Sequence, residues 1–317
     1  MRPSAATATA PTVPDHTPRQ INRGLWLGLL GIVIFSVTLP MTRLAVGTPD
    51  APQMSGFFVA MGRAVVAAVL SSVFLWATRA PLPSKADWFP LAITAAGVVF
   101  GFPLFTSIAM RYVEAQHASV IVGVLPLATA AVGALLHRQR PSTGFWLCAV
   151  LGSALVVAFA LLNGGTNPGA NTAGISVHSA DLLLVAAMLC AAVGYGYGAR
   201  LSHQLRAEHV ICWALVLSLP LTLPLAAVSW PGASLPATAW WAFAYLAVFS
   251  MWIGFFAWYR GLALGGTVRV SQVQLVQPFL SMLFAVPLLG EQLDAVTVGF
   301  ALAVIATVFV GKRMPVW

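Results

Sequence analysis

The stretches "ASVIVGVLP" (118–126) and "VSQVQLVQP" (270–278) are two versions of one pattern, and they decide how the chain is organised. Each places a serine seven residues before a proline, at one common offset. Upstream, "GFPLFTSIAMRY" (101–112) resembles "GFFAWYRGLAL" (254–264) with a slip of one residue. A repeat of this kind predicts a chain built from two related halves.

The composition of the chain is that of a membrane protein. Its 317 residues are 59% hydrophobic and 8% charged, with a mean hydropathy of +0.88, whereas a soluble domain is about 25% charged. Apolar runs of about 17 to 25 residues, each long enough to cross the hydrocarbon core as a helix, recur along the sequence. Ten such runs are predicted as spans, at 25–46, 55–77, 88–109, 115–136, 143–163, 179–200, 209–230, 238–259, 266–289 and 294–312.

The repeat and the spans together predict an all-α membrane protein with ten transmembrane helices in two inverted five-helix repeats. Five is an odd number, so the second copy enters the membrane from the opposite side. Such repeats place a substrate site near the middle of the membrane, and rocking of the halves gives alternating access. The predicted units are a disordered cytoplasmic tail (1–24), a first repeat (25–163), an external linker (164–178), a second repeat (179–313) and a cytoplasmic C-terminus (314–317).

Lysine and arginine are unevenly distributed between the two sides of the membrane. When the N-terminal tail is placed inside, all of them except Arg43, Arg63 and Arg111 fall on or beside cytoplasmic segments. Cytoplasmic loops carry the excess of basic residues in membrane proteins. We therefore expect both termini in the cytoplasm, and we attribute the net charge of +8 to topology rather than to binding of nucleic acid.

Three glutamines interrupt the apolar run of the second copy. In the repeat they stand opposite apolar residues: Gln272, Gln274 and Gln277 replace Val120, Val122 and Leu125. The scaffold therefore does not require amides at these positions.

At 100° per residue, Ser271, Gln274, Gln277 and Pro278 share an arc of about 120° on a helix. Pro278 lacks the N–H that would bond the Gln274 carbonyl, so a free acceptor is predicted on this stripe. One interpretation is that the glutamines hydrogen-bond to neighbouring helices, at about 0.6 to 2 kcal/mol each. The other, which we favour, is that the stripe lines a substrate pathway.

Two arginines are candidate substrate contacts, because ionisable residues within spans are suspected of function. Arg63 lies about eight residues into the second span, roughly 12 Å from its start. Its guanidinium can clamp a carboxylate, but a structural pairing or snorkelling role is the interpretation that we favour from the sequence. Arg43, near the outer end of the first span, is either an anion contact at the mouth or an interfacial anchor.

The segment "GYGYG" (194–198) lies inside an apolar span, so it does not predict a phosphate-binding loop. Gly194 and Gly198 are four residues apart, the spacing that lets helices pack closely. Tyr195 and Tyr197 would then flank a close helix crossing, from which they can reach a cavity.

Catalytic, metal and cofactor chemistry has no support in the sequence. Carboxylates and histidines lie at span ends or in the tail, and the three cysteines have no metal-ligand spacing. A proton-driven antiporter commonly uses a titratable group inside the membrane, so a facilitator or exchanger is favoured. We expect no enzyme and no cofactor, and the alternative from another class is a channel or structural membrane protein.

At this point the chain resembles the EamA-type members of the drug/metabolite transporter superfamily, over roughly residues 25–313. The stretches that carry the resemblance are "FSVTLPMTRLA" (35–45), "GRAVVAAVL" (62–70), "ASVIVGVLP" (118–126) and "VSQVQLVQPFLSMLFAVPLLGEQL" (270–293). The second half carries the Gly290-Glu291 pair typical of the family. The first half departs from it, with Arg138-Gln139 at the matching place.

The resemblance implies a multi-pass permease of the bacterial cytoplasmic membrane that exports small metabolites, often amino acids. Its partners would be a small-molecule substrate and the lipid bilayer, as a monomer or homodimer. The alternatives within transport are carriers of phosphorylated or nucleotide-linked sugars, and drug efflux. The resemblance places further residues near the pathway, beside the glutamine stripe: Phe102, Phe105, Tyr195, Tyr197 and Trp252.

Overall fold

The computed structural model describes residues 17–136, 142–163, 177–202, 204–232, 234–265 and 270–314. Residues 1–16 of the predicted tail and 164–176 of the predicted linker lie outside this part. The helices are labelled in chain order: α1 Pro18–Ser36 with its continuation Thr38–Val46, α2 Gly56–Ala77, α3 Trp88–Ala109, α4 Ala115–Val122 with Leu125–Leu136, α5 Thr143–Asn163, α6 Val177–Leu201, α7 Ala207–Val228, α8 Ala237–Gly265, α9 Ser271–Val276 with Gln277–Leu289, and α10 Ala295–Arg313.

The helices agree in class and position with the predicted spans. In the described ranges, α1, α2, α3, α6, α7 and α8 are long and apolar enough to cross a membrane, and shorter apolar helices occur in α4, α9 and α10. The all-helical membrane class is therefore confirmed. The count of ten crossings and the inverted repeat stay predictions.

Helix α1 begins at Pro18, ahead of the predicted boundary at residue 25. The Thr17 side chain accepts from the Gln20 N–H, and the Gln20 side chain accepts from the Thr17 N–H. This capping box satisfies two backbone donors, and Pro18 suits the first helical position because its missing N–H is not needed there. Local capping therefore extends the helix beyond the apolar run.

Several helices are interrupted at corresponding places in the two halves. A π-helical segment interrupts α3 at Ala95–Gly101, and another interrupts α8 at Leu246–Ile253. A turn divides α4 before Pro126, and a 3₁₀ segment, Ser271–Val276, precedes Pro278 in α9. Proline removes an i to i−4 hydrogen bond, which accounts for the breaks in α4 and α9.

The predicted free carbonyl at Gln274 is wrong. In the 3₁₀ segment the N–H of Gln277 bonds the Gln274 carbonyl, so this oxygen has a donor despite Pro278. The tighter i to i−3 bonding of a 3₁₀ turn supplies the partner that an α-helix would have lost.

The break in α1 is satisfied by the other half of the chain. Pro40 cannot donate to the carbonyl of Ser36, four residues before it. The Ser281 hydroxyl in α9 donates to that carbonyl at 2.7 Å, and the Tyr245 hydroxyl in α8 donates to the Ile34 carbonyl at 3.0 Å. The two halves are therefore joined by hydrogen bonds at the point where α1 changes direction.

Each large contact between helices has an equivalent contact in which the two repeats exchange roles. Helix α1 packs on the end of α8, and its counterpart α6 packs on α3. Counterparts also pair directly, namely α2 with α7, α4 with α9 and α5 with α10, and the contact of α4 with α6 is matched by the contact of α9 with α1.

Glycines permit the closest of these crossings. A Cβ atom on Gly24 would lie 2.5 Å from the Gly265 N in α8, and one on Gly97 in α3 would lie 2.9 Å from the Cα of Gly194 in α6. Glycine allows helix backbones to approach this closely in membranes. The predicted close packing at Gly194 is confirmed, whereas the α1 crossing was not singled out from the sequence.

Gly24→Ala is expected to destabilise the protein by about 1 to 3 kcal/mol, because the added methyl meets backbone that cannot move aside. Gly299→Ala is the matched control: its Cβ has no neighbour within 4 Å, and alanine is the better helix former by about 0.5–1 kcal/mol. Melting of the purified variants in detergent checks this. Equal melting of Gly24→Ala and wild type would show that the crossing is not tight.

Candidate functional site

A small, partly open cavity lies between the two halves of the chain, with about 20 Å³ available to the centre of a water-sized sphere. Helices α1, α2 and α3 of the first half contribute to it together with α6, α8 and α9 of the second. Its lining residues are Phe35, Thr38, Arg63, Val98, Phe102, Ala191, Tyr195, Ser250, Met251, Phe255 and Gln277. We call this the central cavity.

Arg63 supplies the charge of the central cavity. The residue is 2% exposed, and its Nε and Nη1 atoms are buried without a hydrogen-bond partner. Helix α2 places it there by starting at Gly56 with a cap from Ser55, whose hydroxyl accepts from the Phe58 N–H at 3.0 Å. In the part of the chain that the structure describes, no carboxylate forms an ion pair with Arg63.

Hydroxyl and amide groups line another side of the central cavity. Thr38, directly after the break in α1, and Ser250, in the π segment of α8, are hydrogen-bonded at 2.8 Å. Gln277 begins the α-helical part of α9 and completes this polar side. Both hydroxyl residues therefore come from interrupted helices, one from each half.

Aromatic side chains form an apolar part of the cavity wall. The ring centroids of Phe35 and Phe255 are 5.0 Å apart, and those of Tyr195 and Phe255 are 6.1 Å apart. Phe102 also contacts the cavity. A ligand here would meet a cation, neutral hydrogen-bonding groups and aromatic rings within one small volume.

A second, smaller and partly open cavity adjoins the first, with about 10 Å³ available to the centre of a water-sized sphere. It lies where the broken regions of α4 and α9 meet α1, and Gln277 contacts both cavities. The lining residues of the second cavity are Leu39, Ser119, Val122, Leu125, Pro126, Gln274, Gln277, Pro278 and Ser281. Serine and proline residues of the repeated motif thus meet across the two halves.

Gln274 is buried in the second cavity. The residue is 2% exposed, and neither its Nε2 nor its Oε1 has a hydrogen-bond partner. The described contacts therefore give no support to the packing interpretation, in which the amide would bond to neighbouring helices.

The predicted site residues are distributed among several environments. Arg63, Tyr195, Phe102 and Gln277 line the central cavity, and Gln274 lines the second. Phe105, Tyr197 and Trp252 are partly buried outside both linings, and Trp252 packs on Phe74 and Phe256. The side chain of Ser271 lies outside the described part. Thr38, Ser250 and Phe35 were missed, because single hydroxyls and phenylalanines are common in apolar spans.

Arg43 lies elsewhere, in an open vestibule of about 1190 Å³ beside the ends of α1, α4, α8 and α9. Its Nη1 donates to the Met110 carbonyl at 2.6 Å. Glu114 and Glu291 line the same vestibule. Arg43 therefore lies outside the central cavity, in the vestibule.

Glu291 connects the two halves at this vestibule. Its carboxylate oxygens accept from the backbone N–H groups of Ala115 at 2.8 Å and Gln116 at 3.0 Å, at the start of α4. Burial raises the pKa of Glu291 above its ordinary value, although these donors and Arg43 act in the opposite direction. Negative charge is favourable at a helix N-terminus.

His117 and Asp181 form a second connection between the halves. The His117 Nε2 lies 2.6 Å from the Asp181 Oδ1, and both side chains are largely buried. His117 lies in the first turn of α4, and Asp181 lies near the start of α6. The ends of these helices are thus tied together by polar groups.

Together, an all-helical apolar chain, a polar cavity between its halves and a vestibule at one end define a membrane carrier. The EamA-like transporter family model matches residues 22–162 and 178–311. The uncharacterized transporter YdeK of Bacillus subtilis (strain 168) is 42% identical over 293 residues, covering 91% of this chain and 96% of the relative. One solved crystal structure shares the fold, with a TM-score of 0.61 and 17% identity over 91% of this chain and 96% of the other.

This chain therefore belongs to the EamA-like transporter family of the drug/metabolite transporter superfamily. The predicted family is confirmed. The protein is a transporter rather than an enzyme, because that is the activity the family and the relative are named for.

Glu291→Ala is expected to destabilise the protein by about 1 to 3 kcal/mol, because two backbone donors lose their acceptor. Glu114→Ala is the matched control, since Glu114 is an exposed carboxylate near the same helix end and makes no side-chain cap. Melting in detergent separates the two variants. Equal losses in both would contradict a specific role for Glu291.

Gln274→Leu is expected to leave the melting temperature unchanged or to raise it, because it removes a buried amide that has no partner. The packing interpretation makes the opposite prediction, a loss of about 0.6 to 2 kcal/mol. Gln204→Leu, at an exposed glutamine between α6 and α7, controls for the general effect of the substitution. A fall in melting temperature specific to Gln274→Leu would restore the packing interpretation.

Proposed function

We propose that the protein exports small amphipathic metabolites, with amino acids as the leading class, by alternating access around the central cavity. The observation that carries this proposal is the composition of the cavity wall, which joins Arg63, Gln277 and the Thr38–Ser250 pair to an aromatic surface. Small-molecule sites are typically apolar with a few polar groups that fix orientation. A substrate with a carboxylate and an apolar side chain fits such a wall.

The proposed architecture is ten spans in two inverted repeats, 25–163 and 179–313, joined by the linker 164–178. The family model matches in two separate regions, and the packing of the helices survives exchange of the halves. The matching interruptions in α3 and α8, and in α4 and α9, give further support. An odd number of spans in each copy requires opposite insertion.

The proposed location is the bacterial cytoplasmic membrane, with both termini inside. The distribution of lysine and arginine supports this orientation. The vestibule with Arg43, Glu114 and Glu291 would then face the outside. Export is the direction expected from the family, and the vestibule is the exit that it would use.

A carrier of phosphorylated or nucleotide-linked sugars is the second transport candidate. Phosphate groups carry more charge than a carboxylate and are usually held by several cations. Among the described residues that line the central cavity, Arg63 is the single cationic side chain. This arrangement favours a ligand with one negative charge. A drug efflux role would place less demand on Arg63, and a structural role would leave the polar cavity without a use.

Counterflow in proteoliposomes tests the proposed function. A panel of radiolabelled amino acids is expected to show saturable counterflow in wild type. Gln277→Ala should reduce it by about fivefold or more, since a lost hydrogen bond in a dry site is worth about 1 kcal/mol or more. Gln204→Ala, at the exposed glutamine, should transport like wild type. Flux without saturation would indicate a pore, and failure of the whole panel would remove amino acids as the substrate class.

A further inference from the structure

We propose that Arg63 binds the carboxylate of the substrate and that, because Arg63 lacks a protein counter-ion, the carrier exchanges one carboxylate-bearing substrate for another instead of returning empty. The inference rests on the proposed transport function and names the group that the substrate must carry. It is based on the burial of Arg63, on the absence of partners for its Nε and Nη1 within the described residues, and on the other groups in the central cavity.

The carboxylates of the described residues are committed elsewhere or exposed. Their partners are as follows: Glu291 binds the N–H groups of Ala115 and Gln116, Asp181 binds His117, Glu208 binds Arg260, Asp87 binds Ser84, and Asp294 binds Thr297. Asp50 and Glu114 are exposed. The part of the chain that the structure describes therefore supplies no counter-ion for Arg63.

The two partly buried arginines of the described residues have backbone acceptors. Arg43 donates to the Met110 carbonyl, and Arg111 donates to the carbonyls of Val46 and Met54. Arg63 differs from both, because it is buried and faces a cavity instead of a backbone carbonyl. A guanidinium does not lose its proton in proteins, so its charge must be balanced by something that enters the cavity.

The other residues that line the cavity indicate which groups the substrate carries besides its negative charge. Gln277, Tyr195 and the Thr38–Ser250 pair offer neutral donors and acceptors, and Phe35 and Phe255 form an apolar surface. No acidic side chain is among the lining residues of the described part, so an ammonium group on the substrate would meet neutral acceptors only. The carboxylate is therefore the group whose recognition depends on charge.

The unpaired charge also affects the empty carrier. A buried ion without a partner is strongly unfavourable, and the penalty is relieved when a carboxylate is bound. The closed state is thus favoured when the site is loaded and disfavoured when it is empty. Because alternating access passes through a closed state, exchange of two loaded substrates should be faster than return of the empty carrier.

Ligand-dependent melting of the purified full-length protein tests the subsite. The probes are leucine, 4-methyl-2-oxopentanoate, leucinamide and 3-methylbutylamine, which share a side chain and differ in the carboxylate and the amine. Ligands that bind only the folded state raise its melting temperature. Leucine and 4-methyl-2-oxopentanoate, which carry a carboxylate, should stabilise the wild-type protein. Leucinamide and 3-methylbutylamine, which lack it, should not.

Two variants locate the effect. Arg63→Met removes the charge and should abolish stabilisation by both carboxylates, while Arg63→Lys keeps the charge and should retain part of it. Arg260→Gln, which alters an exposed ion pair, is the matched control and should respond like wild type. All samples are in HEPES buffer without added inorganic anions, and arms with added chloride or sulfate test whether a small inorganic anion occupies the site instead.

The outcomes distinguish this inference from the proposed function. Stabilisation of wild type by 4-methyl-2-oxopentanoate but not by leucine would support the Arg63 subsite and remove amino acids as the substrate class. Equal stabilisation by leucine and leucinamide would overturn the subsite while leaving amino acid transport in place. Stabilisation by chloride alone, or by no carboxylate, would also overturn it.

Transport supplies the second readout. In wild-type proteoliposomes, leucine counterflow should exceed net leucine efflux by at least about tenfold, the factor that a penalty of about 1.4 kcal/mol on the empty carrier would produce. In Arg63→Met both rates should fall to those of protein-free liposomes, because the variant no longer binds the leucine carboxylate. Equal rates in wild type would overturn the exchanger part of the proposal.

Discussion

Inside hydrocarbon, a backbone N–H or C=O group without an internal partner destabilises a protein by several kcal/mol, so irregular backbone occurs only where protein or a cavity surrounds it. The helices of this protein meet that condition at the breaks in α1 and α9. The carbonyl that Pro40 leaves free on Ser36 receives the Ser281 hydroxyl, and the 3₁₀ turn before Pro278 supplies a donor to the Gln274 carbonyl. The interruptions of α1, α8 and α9 therefore collect around the same internal space. The polar cavities lie there because that is where non-helical backbone is tolerated.

The charge of the central cavity depends on the same exclusion of water. Arg63 is surrounded by apolar and neutral polar groups, and its environment resembles a binding site more than a structural ion pair. Buried ion pairs can satisfy a protein without any ligand. The described carboxylates instead lie at helix ends, where Glu291 and Asp181 connect one half to the other. The buried positive charge of Arg63 thus lies in the central cavity, whereas the carboxylates of Glu291 and Asp181 lie at helix ends, where they join the two halves.

These connections also bear on movement. A carrier that alternates its access must separate the halves at one end while they stay packed at the other. The glycine crossing of α1 with α8 brings backbones into direct contact, whereas the contacts of Glu291 and His117 are a few polar bonds beside an open vestibule. Few buried apolar contacts and exposed hydrogen bonds mark the regions of a protein that open most easily.

The sequence by itself determined the class of the protein, the family and the positions of its helices, because hydrophobicity and span length are local properties that a bilayer imposes on each segment separately. It also indicated Arg63, Tyr195, Phe102 and Gln277, since charged, aromatic and amide side chains are conspicuous in apolar runs. Only the tertiary structure decided that these four residues share one cavity, that Thr38 meets Ser250 within it, and that Arg43 and Trp252 lie elsewhere. Helix pairing and rotation depend on contacts between residues up to about 245 positions apart, such as Ser36 with Ser281, and periodicity within one helix does not contain that information.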